Sequence, residues 1–354
     1  PPYRVDVQRP CDVVEDILRI YGYNNVEIPT QLKSSLTVQG EEDKHYHTQN
    51  IVAEQLVGEG FMEILNNSLT KASYYTDFDL NKYPDEHTVK VMNPLSADLG
   101  VMRQTMLFGG LESVSRNINH KSANLKFFEV GNTYIYNKEK WDAENPIKGY
   151  NQEGHISLFI TGKRVEGNWA HADEQSSIYE LKAVVENILR RVGMPFNNVV
   201  VKHSDNNIFS KGVQYETRAG KVLVELGILS HKLKKAFDIE QDVFYADVHW
   251  DNLMKAIKKV NLTYTDISKY PSVSRDLAFL VDKNVEFEQI EQIARQTEKK
   301  LLNSVVLFDV YEGKNLPAGK KSYAVNFILQ DEEKTLNDKQ IEAIMKKLIA
   351  NLTG

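Results

Sequence analysis

The amino-acid sequence predicts an α+β protein, and two observations carry that prediction. Between residues 30 and 263, stretches with apolar residues three and four apart are mixed with β-type runs, as one large mixed core requires. From Ser268 onward the segments follow the order β-α-β-β-α, a ferredoxin-like order short of its last strand. A small helical piece over residues 1–29 precedes both. A chain of 354 residues is long enough for two or three domains, each with its own core.

In the first zone, Pro10 stands where a first-turn proline is tolerated, and Val13, Val14, Ile17, Leu18 and Tyr21 form an apolar stripe. Gly22 is placed to stop the helix. In the second zone the spacing predicts helices over Thr48–Gly58, Thr105–Asn119 and Ser177–Val192. Strands are expected over Leu125–Tyr136, Ile156–Thr161, Val222–Leu229 and Val243–Val248. The polar, Pro146-bearing stretch Asn137–Gly154 reads as a loop.

The third zone has the clearest pattern. Leu277–Val281 reads as a buried strand, and Phe287, Ile290, Ile293, Ala294, Thr297 and Leu301 mark one helix face. Val305–Tyr311 is a second strand; alternation of Tyr323, Val325, Phe327 and Leu329 with smaller or polar residues makes a third. Thr335-Leu336-Asn337-Asp338 has the form of a capping box opening a final helix through Ile341, Ile344, Leu348 and Leu352.

Composition excludes several classes of protein. Apolar residues at 42% and charged residues at 26% are the balance of an ordinary globular chain, with no apolar run long enough to span a bilayer. The single cysteine, Cys11, rules out an internal disulfide and favours a reducing, cytoplasmic setting. The opening Pro1-Pro2-Tyr3-Arg4 has neither an initiator Met nor a signal-peptide pattern, so the chain is expected to begin inside a longer one. A net charge of −6 excludes a polycation that coats nucleic acid, and residues 268–354 carry thirteen basic and thirteen acidic side chains. Contact with RNA there must be local. Lys269 and Arg275 flank the first strand, and Lys314, Lys320 and Lys321 surround one turn. Tyr270, Tyr311 and Tyr323 are possible base-stacking rings, with core packing the alternative for Tyr323.

Candidate metal ligands lie near the start. Asp12, Glu15 and Asp16 fall at i, i+3 and i+4 on one helix face, and Asp6 can approach from the preceding segment. Carboxylates suit Mg²⁺, yet acidic residues in a first turn are favoured by the helix dipole alone. His45 and His47 flank Tyr46 with no further ligand at metal spacing, so they read as solvated. Arg103, if buried, can position a phosphate, with an interface or capping role the favoured reading, and Trp169 fits a packing role.

Several blocks carry a family resemblance. Lys269-Tyr270-Pro271-Ser272-Val273-Ser274-Arg275-Asp276-Leu277-Ala278 is similar to the opening of the anticodon-binding ferredoxin-like domain of bacterial-type phenylalanyl-tRNA synthetase beta chains. Leu307-Phe308-Asp309-Val310-Tyr311-Glu312-Gly313, Gly319-Lys320-Lys321-Ser322 and Lys334-Thr335-Leu336 continue the match. Asn93-Pro94-Leu95-Ser96 with Met102-Arg103-Gln104-Thr105-Met106-Leu107 resembles the same family's class II synthetase-like core. Asp6, Asp12–Asp16 and Tyr21-Gly22-Tyr23-Asn24-Asn25 resemble the end of its small B5-type domain.

The resemblance implies the end of a small domain at residues 1–29, a catalytically inactive antiparallel-sheet core at 30–263 and a ferredoxin-fold anticodon-binding domain at 266–354. It implies Mg²⁺ at Asp6, Asp12, Glu15 and Asp16, shared with an alpha subunit. The assembly implied is a heterotetramer of two alpha and two beta chains that uses ATP to attach phenylalanine to tRNA(Phe). A class II enzyme grips the ATP α-phosphate with the arginine of a Phe-Arg-x-Glu motif, because adenylate formation develops negative charge. In Phe127-Phe128-Glu129-Val130-Gly131 that arginine's place is held by Phe127, and no G-x-G segment leads to an arginine; Gly58-Glu59-Gly60 reads as a helix-end turn. This chain alone is therefore expected to be inactive. Two other readings are a stand-alone RNA-binding module, for which the Asn-Pro-Leu-Ser block has no use, and a Mg²⁺-dependent enzyme, for which no nucleophile or base is evident.

Overall fold

The computed structural model describes residues 3–31, 40–258, 264, 266–313 and 316–353. They fall into two compact units, Pro1–Asn261 and Leu262–Gly354.

The first unit opens with helix α1 (Pro10–Tyr21), which begins on Pro10 and ends at Gly22, where φ is 92° and the amide donates to the Leu18 carbonyl. Its apolar stripe is not packed: Val13, Val14, Ile17 and Tyr21 are all about half exposed. Helix α2 (Glu41–Gly58) starts seven residues before Thr48, where the apolar spacing alone begins it. The early turn is polar and is held by Asp43, which accepts from the Gly40 amide at 2.7 Å. Strand β1 (Met62–Glu63) follows, then the ribbon of β2 (Leu69–Thr70) with β3 (Val101–Met102), with the short helix α3 (Ser73–Thr76) between them. Helix α4 (Leu107–Asn119) leads into β4 (Leu125–Tyr136) and β5 (Tyr150–Thr161). Strand β5 begins inside the segment expected to be a loop. Its first residues are exposed or half-buried and mostly polar, without alternation, so only the register with Asn132–Tyr136 reveals them as strand.

A second ribbon, β6 (Lys163–Val165) with β7 (Glu174–Gln175), precedes α5 (Ile178–Arg191), whose N-cap Ser177 accepts from the Glu180 amide. Then come β8 (Val199–His203), β9 (Phe209–Thr217), β10 (Val222–Leu229), helix α6 (His231–Ala236), β11 (Val243–His249) and helix α7 (Trp250–Ile257). The main sheet has seven strands in the order β1-β4-β5-β11-β10-β9-β8, antiparallel except for the short β1–β4 pair. Both of its faces are covered. On one, α2, α5 and α7 bury Leu56, Leu181, Ile188 and Leu253 against Phe128, Ile156, Leu158 and Val248. On the other, α4 and residues 64–83 bury Leu107, Phe108, Leu111 and Tyr75 against Phe127, Phe159 and Tyr245. Each such side chain contributes about 1.5–3 kcal/mol through removal from water. The closest approach is at Gly110, where a Cβ would stand 2.0 Å from the Phe159 ring.

The second unit contains β12 (Val273–Asp282), α8 (Phe287–Thr297), β13 (Leu302–Tyr311), β14 (Lys320–Leu329) and α9 (Asp338–Thr353), in the order the sequence predicts. Its sheet runs β12-β14-β13 with β14 central, both pairings antiparallel. Ile290, Ala294, Ile341, Ile344 and Leu348 cover Val325, Phe327 and Leu329. The capping box differs from expectation by two positions: Asn337 and Gln340 exchange bonds of 3.2 and 2.9 Å. Leu336 is buried instead of lying in the box.

Candidate functional site

The covered face of the main sheet, below α4 and residues 64–83, carries a row of polar residues set by register. Glu129 on β4 stands opposite Ser157, which stands opposite Asp247; Asp247 pairs with Glu225, and Glu225 with Gln214. Three buried carboxylates in one row need partners, and each has them. Arg103 Nη1 donates to Glu129 Oε1 at 2.7 Å, its Nε to the Asn132 carbonyl at 2.9 Å, and Asn66 binds the other Glu129 oxygen at 2.7 Å. Glu225 accepts from Lys82 at 3.0 Å, Ser204 at 3.1 Å and Asn206 at 3.2 Å. Asp247 accepts from His155 Nδ1 at 2.8 Å. Tyr83 lies over this row, and burial, with Asp247 and Glu225 nearby, pushes its phenol well above the ordinary value.

The row decides what this face can bind. Arg103 and Lys82, the cations that reach this row, are committed to its carboxylates, so a polyphosphate laid on the row would meet charge that is already paired. Phe127 stands opposite Phe159 in the apolar layer, 3% exposed, where a phosphate-gripping arginine would have to reach out. Arg103, expected at an interface or cap, is instead the buried counter-ion of Glu129. A cleft of about 970 Å³ opens alongside, lined in part by Asn66, Arg103, Glu112 and Arg116, with Arg103 committed to Glu129.

The next register row holds a group that sequence reasoning missed. Gly131 faces His155, and His155 faces His249 across β5 and β11. Glu153, two residues before His155, shares its face, and one ligand-type atom from each of Glu153, His155 and His249 lies within 4.8 Å of the others. Burial disfavours the charged His155 ring, but the neighbouring Asp247 carboxylate more than reverses this and pushes it up to about 10. Burial pushes His249 below the ordinary imidazole value. Glu153-x-His155 is a period-two signal within the sequence; His249 joins it only through register. His45 and His47, which sequence reasoning weighed instead, lie on α2 in no such group among the described residues. Trp169 is 99% exposed and packs against no core, contrary to expectation, because it lies on a loop secured by Asn168 and Asp173.

The four N-terminal acids do not gather at one point. Arg4 hydrogen-bonds Asp6 at 2.8 Å, holding its carboxyl down at about 2, and reaches Asp16 at 3.7 Å. Asp12 accepts from the Arg9 and Gln8 amides at 2.8 and 3.0 Å as a cap of α1, and Glu15 pairs with Arg19 at 3.0 Å. Among the described residues no three of the four converge within 4.8 Å. As arranged, this set does not fit Mg²⁺: Arg4 already stands between Asp6 and Asp16, and Asp12 is committed to the backbone.

In the second unit, Lys269 and Arg275 are exposed, and Lys320 pairs with Asp282 at 2.8 Å. Lys321 lies 4.7 Å over the ring of Tyr323, which is itself buried with its hydroxyl donating to the Val285 carbonyl. Arg275 faces Phe327, seven positions along β14 from Lys320, so the two cations are roughly 23 Å apart along the strand. Lys320 and Lys321, as neighbours on a strand, point to opposite faces. Lys314 lies outside the described residues.

An antiparallel synthetase-like sheet with both faces filled, followed by a ferredoxin fold, defines an α+β chain of the aminoacyl-tRNA synthetase type. Family comparison agrees in order along the chain. The model of the "Phenylalanyl tRNA synthetase beta chain CLM domain" matches residues 28–250, the "Ferredoxin-fold anticodon binding domain" residues 268–354, and the "tRNA synthetase B5 domain" residues 1–23. The chain belongs to the phenylalanyl-tRNA synthetase beta chain family. The phenylalanine–tRNA ligase beta subunit of Bacteroides thetaiotaomicron is 60% identical over 352 residues, covering 99% of this chain and 43% of that protein. That of Porphyromonas gingivalis is 50% identical with the same coverage. The chain thus spans less than half the length of the curated relatives it matches. A solved pyrrolysyl-tRNA synthetase from Desulfitobacterium hafniense is similar at TM-score 0.44 and 11% identity, over 61% of this chain and 74% of that one. Among the described residues no helix is long and apolar enough to cross a membrane.

Proposed function

We propose that this chain is a fragment of the non-catalytic beta subunit of a phenylalanine–tRNA ligase, which packs on an alpha subunit and helps dock tRNA(Phe) while the whole enzyme uses ATP in the cytoplasm. The observation that carries this is the buried Phe127 in the place of a phosphate-gripping arginine, with Arg103 and Lys82 beside it already paired to Glu129 and Glu225. The names of the relatives support the reaction and the tRNA, and the anticodon-binding description supports residues 266–354 as the RNA-facing part. Residues 1–29 would be the end of a B5-type domain and residues 30–263 the inactive core. The basic residues Lys269, Arg275, Lys320 and Lys321 would touch RNA at separate points, since they form no single patch. Mg²⁺ at Asp6, Asp12, Glu15 and Asp16 would require Arg4 to release Asp6 and Asp16, Arg19 to release Glu15, and Asp12 to leave the Arg9 and Gln8 amides.

Co-expression with the alpha subunit of the same organism tests the proposal. A stable complex that charges tRNA(Phe), or that protects it more strongly than this chain alone, is expected. A chain that binds no alpha subunit, yet binds RNA as tightly without it, would favour a stand-alone RNA-binding module.

A further inference from the structure

We propose that Glu153, His155 and His249 form a site for a divalent transition-metal ion such as Zn²⁺, on the buried face of the main sheet at one end of β5 and β11. Two ligands come from one strand at i and i+2, and the third faces the second of them across the sheet; a β-sheet brings such positions to one point without any loop. His155 Nδ1 is bonded to Asp247 at 2.8 Å and keeps its hydrogen there, while Nε2 points toward Glu153, 3.8 Å away, and would give up its proton to the ion. In a tetrahedron of ligands at about 2.1 Å the donors are about 3.4 Å apart, so the trio, within 4.8 Å of one another here, would draw together around an ion. A carboxylate behind a ligating histidine is the usual support for such a ligand.

Two imidazoles with one carboxylate select Zn²⁺ and its neighbours over Mg²⁺ or Ca²⁺, and three protein ligands leave a position for water or a fourth donor. Glu153 is part-exposed and His249 lies at the end of its strand, so an ion can enter from solvent. Arg103, which sits over Gly131 beside His155, is neutralised by Glu129 and does not oppose the ion. The competing account is a charged His155 held between Asp247 and Glu153 with no ion.

The test is titration of the full, chelator-treated chain with Co²⁺, followed by visible absorption, then displacement by Zn²⁺. One Co²⁺ per chain with the strong visible bands of a four-coordinate site is expected, lost in both His249→Gln and Glu153→Gln. Asp247→Asn should weaken the affinity about 10–100-fold while leaving the ligand set in place. Far-ultraviolet circular dichroism identifies any variant that fails to fold, and Glu153→Gln, at the part-exposed edge, is the variant expected to fold in any case. Absence of saturable binding by the parent chain would overturn the proposal in favour of the ion pair. Binding that both His249→Gln and Glu153→Gln retain would overturn it too, by placing the ion elsewhere.

Discussion

Arg103 and Glu129 meet at 2.7 Å with their side chains 6% and 0% exposed, and this pair joins residues 64–108 to strand β4. Removing one member leaves the other charge buried without its partner, which costs about 3–5 kcal/mol. Glu129→Ala should therefore lower the denaturant midpoint sharply. Arg103→Met combined with Glu129→Leu should recover much of the deficit. A single variant that unfolds with the parent would show that the pair does not hold this segment.

The packing of Gly110 on Phe159 gives a prediction against helix propensity. In an exposed helix interior Gly→Ala stabilises by about 1 kcal/mol. Here the added methyl would stand 2.0 Å from the Phe159 ring, and overpacking of a filled core costs about 1–3 kcal/mol. Gly110→Ala should lower the thermal midpoint, and Phe159→Leu in the same chain should restore part of it. A rise in the single variant would mean that the helix stands further from the sheet.

Both of these pairings lie beyond what local sequence pattern discloses. Leu125–Tyr136 and Val222–Leu229 are legible because one face must be buried, and their ends coincide with the observed strands. Residues 150–154 are not, because they are polar and mostly outward, and only pairing with β4 makes them strand. The same limit hides the trio of Glu153, His155 and His249. Cross-strand neighbours 94 residues apart carry no local periodicity. The acids at Asp12, Glu15 and Asp16 show the converse: their spacing is helical, but their partners are the backbone and arginine side chains.

Asp12 gives a pH prediction. Its carboxylate accepts from the Arg9 amide first and the Gln8 amide next, and these bonds hold its pKa below the ordinary value. A carboxyl whose folded-state pKa is depressed contributes stability that is fully present above its unfolded value of about 3.9 and is lost as pH falls through the folded value. Protection of the Gln8 and Arg9 amides, after division by their intrinsic exchange rates, should therefore hold down to the ordinary carboxylate range and fall below it. Asp12→Asn, which still caps, should remove that pH dependence. An unaltered profile in the variant would assign the transition to another group.

Charge reversal in the second unit tests its role in docking RNA. In the complex with the alpha subunit, Lys320→Glu should weaken tRNA binding and lower the salt slope by about 0.7–0.9 for each phosphate no longer neutralised. Arg275→Glu should act independently, because the two residues are far apart on the sheet. Affinity and slope that stay the same would return Lys320 to its local pair with Asp282.

The central claim is that the sheet has a synthetase-like form without the means to activate an amino acid. ATP–pyrophosphate exchange dependent on phenylalanine measures this directly, first with this chain alone and then with the alpha subunit added. No exchange above background is predicted for the chain alone, with activity appearing only when the alpha subunit is present. Exchange by the isolated chain, abolished by substitution within the Arg103–Glu129 face, would contradict the claim.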